Sequence, residues 1–276
     1  VPLDQEGEMS FLDHLEALRW HVLRSAAAVV VFAIIAFFAK HFVYHVLILG
    51  PSRTDFWTFQ QLCKLSTLTG TPGLCIDKLD FSLQSRTMTG QFTMHITSSI
   101  VLGLIAAFPY AFWEIWRFIK PGLYPKERSM ARGMTFFVSL LFLLGILFGY
   151  YIVSPLSIQF LASYQLDPSI QNQFDITSYI GTLTMLVLSS GLMFQLPMVI
   201  YFLSKIGLAT PSILRRFRRH AILVIFIVAA IITPPDVFSQ VLISLPLLLL
   251  YEISIFISAV VVKRREKELK LESNVH

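Results

Sequence analysis

Five stretches of this sequence are apolar for about 20 residues or more, the length a helix needs to cross the hydrocarbon core of a bilayer. They run over about 22–46, 94–118, 130–153, 179–203 and 241–262. A sixth, Ala221–Ile232, has only twelve uninterrupted apolar residues before Thr233-Pro234-Pro235. At 1.5 Å per residue it reaches only ~18 Å, against a core of ~30 Å. Such a helix must thin the bilayer or lean on its neighbours, and the double proline reads as a turn after it rather than a break inside it. Composition agrees: 55% of the 276 residues are hydrophobic and only 14% charged, far below the ~25% of soluble domains. An ordinary soluble enzyme, a disordered chain and a disulfide scaffold are excluded. The sequence predicts an all-α polytopic membrane protein with six transmembrane helices.

Orientation follows from the placement of Lys and Arg. Arg117, Lys120, Lys126, Arg128 and Arg132 lie at the turn between spans two and three. Lys205, Arg215, Arg216, Arg218 and Arg219 lie between spans four and five, and Lys263, Arg264, Arg265, Lys267 and Lys270 follow span six. With Arg19 and Arg24, 17 of the 22 basic residues fall on one side. The connections 154–178 and 233–239 carry none. Both termini are therefore expected in the cytoplasm, and the net charge of +5 reports topology rather than nucleic-acid binding. Asp4, Glu6 and Glu8 stand where a secretory leader would carry basic residues, so no cleavable leader is expected.

Little here supports catalysis. Neither HExxH, GxSxG nor a P-loop occurs. Ser189-Ser190-Gly191 lies within span four, where small residues serve helix packing; an intramembrane serine protease would also need a membrane-embedded base. The two cysteines, Cys63 and Cys75, lie in the connection 47–93, with Gly70, Pro72 and Gly73 between them to turn the chain. On an oxidising face they can bridge; the other reading is two free thiols in a mobile loop. No third Cys or His has ligand spacing with them, so no metal and no cofactor is expected.

Polar groups at membrane depth are costly unless paired. Glu114 stands near the end of span two, three residues before Arg117, and a local ion pair accounts for it. Glu252 in span six has no partner visible in sequence, and Gln195 precedes Pro197 inside span four. Groups of this kind can line a solute path, which keeps a proton-coupled secondary carrier open. A carrier would also show internal repeats and matched broken helices, and neither is apparent. Ahead of span one, Ser10–Arg24 places Phe11, Leu15, Leu18 and Val22 three or four residues apart, an amphipathic helix with Arg19 and Arg24 towards headgroups. After span two, Pro121-Gly122 forces a turn that holds Glu127 at the interface. By its residues alone Glu127 could be a charge-balancing neighbour of the surrounding cations.

Several of these stretches together resemble the TatC family, the multispanning receptor components of the twin-arginine protein translocase. The resemblance rests on HLEALR (14–19), FIKPGLYPKER (118–128), FDITSYI (174–180), TPPDVFSQ (233–240) and LPLLLLYEI (245–253), and covers about Met9 to Lys263. It implies a curved, glove-like six-helix bundle with both termini inside, in a bacterial-type cytoplasmic membrane. It implies no enzyme, but a receptor that binds twin-arginine signal peptides of folded proteins. TatA- and TatB-type single-span partners, self-association and the proton-motive force complete the expected assembly.

Residue by residue, Glu127 matches the family's signal-binding glutamate and Phe118 its companion aromatic. Pro51 matches the proline after span one, and Asp236 the aspartate of TPPD. Two positions depart from the pattern. The glutamate usually two residues before Arg19 is Ala17 here, with Glu16 beside it, about 100° around the helix. The family's glutamate in span four is Gln195, read as a partner-helix contact. The expected organisation is a cytoplasmic segment 1–21, a six-helix region 22–262 with an external loop 47–93, and a basic tail 263–276.

Overall fold

The computed structural model describes residues 11–71, 75–76, 79, 81–119, 131–167, 169–233 and 237–273. Helix α1 is Phe11–Phe38, followed by Lys40–Phe42, a π-helical turn Val43–Ile48 and a 3-10 turn Gly50–Ser52. Then come α2 (Trp57–Thr69), β1 (Ser82–Gln84), α3 (Gly90–Ile119) and α4 (Ala131–Phe148), the last continued by a π turn, Gly149–Val153. After α5 (Ser154–Ser163) and β2 (Gln173–Asp175) follow α6 (Ile176–Met193), α7 (Leu196–Lys205), α8 (Pro211–Arg216), α9 (Arg218–Ile232) and α10 (Val237–Ser273). The fold is helical, and among the described residues five spans are long and apolar enough to cross a membrane: Leu18–Phe38, Gly90–Ile119, Gly133–Ser163, Ile176–Lys205 and Ser239–Arg265. The short helix α9, 15 residues, is the segment the sequence marks as too brief to span unaided.

The chain divides into two compact units, Val1–Lys40 with His95–Ser139, and His41–Met94 with Leu140–His276. In the first unit α1 and α3 run antiparallel. A Cβ on Gly103 would meet the Val29 carbonyl oxygen and the Ala33 nitrogen at 2.7 Å, so only glycine permits this backbone approach. Further along, the His95 ring stacks on Phe37 with centroids 4.0 Å apart, and its Nε2 hydrogen-bonds the Phe37 carbonyl at 3.1 Å. The amphipathic stretch ahead of span one runs into α1 without a break at residue 21.

The second unit is organised around prolines. Pro51 lacks an N–H, so the Leu47 carbonyl four residues before it has no α-helical donor. The Tyr150 hydroxyl donates to it at 2.9 Å. The next carbonyl, Ile48, accepts from the Tyr179 hydroxyl at 2.8 Å, while the Ser52 N–H turns to Leu49. Pro155 likewise orphans the Tyr151 carbonyl, which accepts from the Thr58 hydroxyl of α2. Both of these breaks are thus closed by a hydroxyl from a distant segment, as a low-dielectric surrounding demands. Val153, Leu186, Ile200, Ala229 and Leu247 pack the core of this unit. Two three-residue strands add a small element that a purely helical reading omits: β1 and β2 pair in parallel, Ser82 opposite Gln173 and Gln84 opposite Asp175.

Candidate functional site

Along the first unit, positions rise on α3 as their partners fall on α1: His95 meets Phe37, Gly103 meets Val29 and Ala33, and Glu114 meets His21. Glu114 is almost fully buried, and its carboxylate takes a 2.5 Å hydrogen bond from the His21 Nδ1 side and a 3.0 Å bond from the Tyr110 hydroxyl. The ion pair with Arg117 read from sequence proximity is not the contact that forms. Although i,i+3 spacing permits such a pair, Arg117 sets its guanidinium over the Trp113 ring, 5.4 Å from the centroid, and the Glu114 carboxylate is taken by His21 and Tyr110.

Phe118 lies one turn beyond Glu114 on the same face of α3, half-buried, its ring 6.0 Å from that of His21. Continuing the antiparallel register by that turn brings Phe118 level with the turn of α1 before His21. That turn carries Glu16 and Arg19, both exposed. Glu16 and Arg19 are thus level with Phe118 along the helix pair, but they lie about 140–160° around α1 from His21, which is the side that meets α3. Glu127 lies outside the described residues, as does Asp236.

The remaining marked residues belong to the second unit. Pro51 is buried in the turn closed by Tyr150 and Tyr179. Cys63 and Cys75 are joined by a disulfide, which ties α2 to the segment leading to β1. Gln195 is half-buried at the break between α6 and α7, where its carbonyl accepts from the N–H groups of Met198 and Val199. Glu252 has a partner that sequence does not reveal, Arg218 at 2.7 Å from the first turn of α9. Asp175 caps α6, accepting from the Thr177 hydroxyl and N–H at 2.6 and 2.8 Å and from the Arg86 N–H at 3.1 Å. These bonds, the Thr177 hydroxyl foremost, hold its carboxyl below the ordinary aspartate range.

An apolar cavity of about 250 Å³ opens between the π turn after α4 and helix α10, lined by Phe148, Ile152, Val241, Leu242, Leu245 and Pro246. It presents no polar side chain to orient a solute, as a carrier site would require. Among the described residues no group of three or more His, Cys, Asp and Glu is gathered as metal ligands. Sequence reasoning missed His21 and Tyr110. The signal that could have found them is the spacing Tyr110, Glu114, Phe118, one face of α3 that asks for a partner from another helix.

The family model described as Sec-independent protein translocase protein (TatC) matches residues 13–246. The TatC protein of Blattabacterium sp. subsp. Periplaneta americana (strain BPLAN) is 36% identical over 264 residues, covering 95% of this chain and 99% of that one. TatCy of Bacillus subtilis (strain 168) is 30% identical over 270 residues, 98% of this chain and 96% of its own. A crystal structure described as that of the twin arginine translocase receptor TatC superposes with a TM-score of 0.66 at 34% identity, over 89% of this chain and 97% of that chain. A second, of the same receptor in DDM, gives 0.70 at 33%, over 89% and 99%.

Proposed function

Because the chain belongs to the TatC family of Sec-independent protein translocase proteins, we propose that it is the receptor component that binds twin-arginine signal peptides of folded proteins. The observation that carries this reading is the register of α1 and α3, which brings Glu16 and Arg19 level with Phe118 at the end of α3. Glu127 follows Phe118 on the connection to α4 and supplies the second carboxylate. A guanidinium is a planar fork, always charged, and it pairs bidentately with a carboxylate. Phe118 supplies apolar wall for the hydrophobic part of the signal, and Glu16 takes the place of the family glutamate displaced at Ala17.

The rest of the assembly follows the same reading. The protein crosses a bacterial-type cytoplasmic membrane six times, α9 being the short fifth crossing, with both termini inside. The helices of 22–262 form the membrane region, 47–93 the external loop and 263–276 the basic tail. Pro51 shapes an external turn, and Asp236 is taken as the aspartate of the family's TPPD pattern. TatA- and TatB-type single-span proteins dock near Gln195, whose amide can bond across helices for ~0.6–2 kcal/mol. Other copies of the chain join the complex, and the proton-motive force drives transport. A proton-coupled solute carrier is not favoured.

The test is purification of the tagged protein from its own membrane, with mass spectrometry of what accompanies it. Single-span partners and precursors with twin-arginine signals are expected, with less partner recovered from Gln195→Leu. Their absence, together with proton-coupled solute uptake by the purified protein in liposomes, would overturn the proposal.

A further inference from the structure

Helix α9 starts well short of the point where α10 leaves its apolar run. The Tyr251 hydroxyl of α10 donates to the Leu214 carbonyl at 2.9 Å, and Glu252 pairs with Arg218 at 2.7 Å. Ser204, at the end of α7, bonds Ser258 at 2.8 Å, seven residues further along α10 than Tyr251. The chain leaving α7 therefore turns back by ~10 Å before α9 begins. On α10 the first basic residue after Glu252 is Lys263, ~16 Å away, and Phe256 and Val260 are exposed between them. Arg215, Arg218 and Arg219 thus stand level with an apolar stretch of α10 rather than with its basic end.

Two of these arginines flank the ion pair on one side of the helices. Arg218 on Glu252, and the Gln240 amide on the Phe226 carbonyl, make α9 and α10 antiparallel. In an antiparallel pair a step of one residue, about 100°, turns both helices towards the same side. Glu252 follows Tyr251 by that step, and Phe256 follows the buried Ile255. Arg215 and Arg219 likewise follow Leu214, the acceptor of Tyr251, and Arg218, the partner of Glu252. Both are exposed, and they stand four residues apart, a spacing at which like charges repel. Among the described residues Glu252 is the one carboxylate shown pairing with this group. Such an excess of guanidinium suits a phosphate, whose oxygens accept its forks bidentately. In the other direction the Glu252 face of α10 continues through exposed Leu249 and Leu245. Leu245, ~10 Å from Glu252, lines the apolar cavity of about 250 Å³. A free phosphate would use the arginines alone, whereas a phospholipid uses both. We propose that Arg215 and Arg219, beside the Arg218–Glu252 pair, hold the phosphate of an anionic phospholipid whose acyl chain runs along Leu249 into the cavity at Leu245.

The inference goes beyond the receptor reading and rests only on the crossing of α9 proposed there. Full-length protein is equilibrated in nanodiscs of phosphatidylcholine and phosphatidylglycerol and released into mild detergent, and its retained lipids are counted by native mass spectrometry. Wild type should retain phosphatidylglycerol over phosphatidylcholine by ~10-fold, and no preference overturns the inference. Arg215→Gln/Arg219→Gln should lose that preference. Leu245→Trp, which fills the cavity from an exposed position, should cut retention ~10-fold with the arginines intact. Lys263→Gln/Lys267→Gln removes the same charge from the end of α10 and should stay within ~3-fold of wild type. Equal losses in the two charge-removing variants mean a general attraction to a basic face, and overturn the inference. Wild-type retention in Leu245→Trp, or displacement of the lipid by inorganic phosphate, assigns the arginines to a free anion and overturns it too. Should the double arginine variant not fold, Arg215→Gln and Arg219→Gln decide singly: a ~3-fold loss in each is expected, and wild-type retention in both overturns the inference. Leu223→Cys tests the crossing separately, because Leu223 is exposed on α9 and the native cysteines are bridged. A charged thiol reagent should not reach it in nanodiscs. Ready labelling overturns the α9 crossing and this inference with it, whereas protection with no lipid preference overturns the inference alone.

Discussion

Thr58→Val removes one hydroxyl and preserves shape, and it tests how the second unit tolerates its prolines. The Thr58 hydroxyl donates to the Tyr151 carbonyl, which Pro155 leaves without a helical donor. Thr58 is 7% exposed, so water does not readily replace the lost bond. A buried acceptor left unsatisfied costs ~1–3 kcal/mol, whereas a hydrogen bond exchanged for one with water costs less. The loss should fall in that range, read as a lowered midpoint when the purified protein is unfolded by SDS in mixed micelles. Pro155→Ala restores an N–H four residues after Tyr151. In that background Thr58→Val should cost well under half as much, because the carbonyl then has a donor on its own helix. Equal losses in both backgrounds, or no loss in the first, would refute the idea that Thr58 serves a carbonyl orphaned by Pro155.

Three further outcomes are expected. Cys63 and Cys75 should resist a thiol reagent until reduced, and Cys63→Ser should increase protease nicking of the segment before β1, the bridge being worth ~3 kcal/mol in the loop-entropy model; free labelling before reduction would contradict this. Asp175 has a folded-state carboxyl held below its unfolded value, so its contribution is present above the unfolded value and is lost as pH falls through the folded one. Protection factors of the amides at 175–178, which divide out the intrinsic pH dependence of exchange, should accordingly fall in acid for wild type and be flatter with pH in Asp175→Asn; parallel profiles would contradict it. Gly103→Val should push α1 from α3, since even a Cβ would sit 2.7 Å from the Val29 and Ala33 backbone, costing ~1–3 kcal/mol or more by unfolding midpoint, with an unchanged midpoint as the contrary result.

The membrane-spanning helices were legible because bilayer thickness imposes its length on the sequence, and Ala221–Ile232 showed its shortness for the same reason. The residues carrying the family resemblance were legible as motifs. Long-range pairing was not. Nothing near Glu252 in sequence points to Arg218, and sequence proximity pointed Glu114 to Arg117 when its partner was His21 on another helix. Helix α2 went unread because its apolar content is modest and its function is local: it carries Thr58 to Tyr151 and Cys63 to Cys75. The π turns before Pro51 and Pro155 were equally hidden. The prolines are visible in the sequence, but the hydroxyls that complete them, Tyr150, Tyr179 and Thr58, come from elsewhere in the chain.

The central claim is that this chain reads a pair of arginines beside the end of α3. The most direct measurement is a titration of wild type and Glu127→Ala with signal peptides carrying either two arginines or two lysines. Lysine keeps the charge but not the fork. Hydrogen bonds to a charged group are worth ~1.5–3 kcal/mol, so wild type should prefer the arginine peptide by ~10- to 150-fold, and Glu127→Ala should lose most of that preference. An arginine preference that survives intact in Glu127→Ala would contradict the account and return Glu127 to the role of a neighbour balancing the charge of Lys120, Lys126 and Arg128.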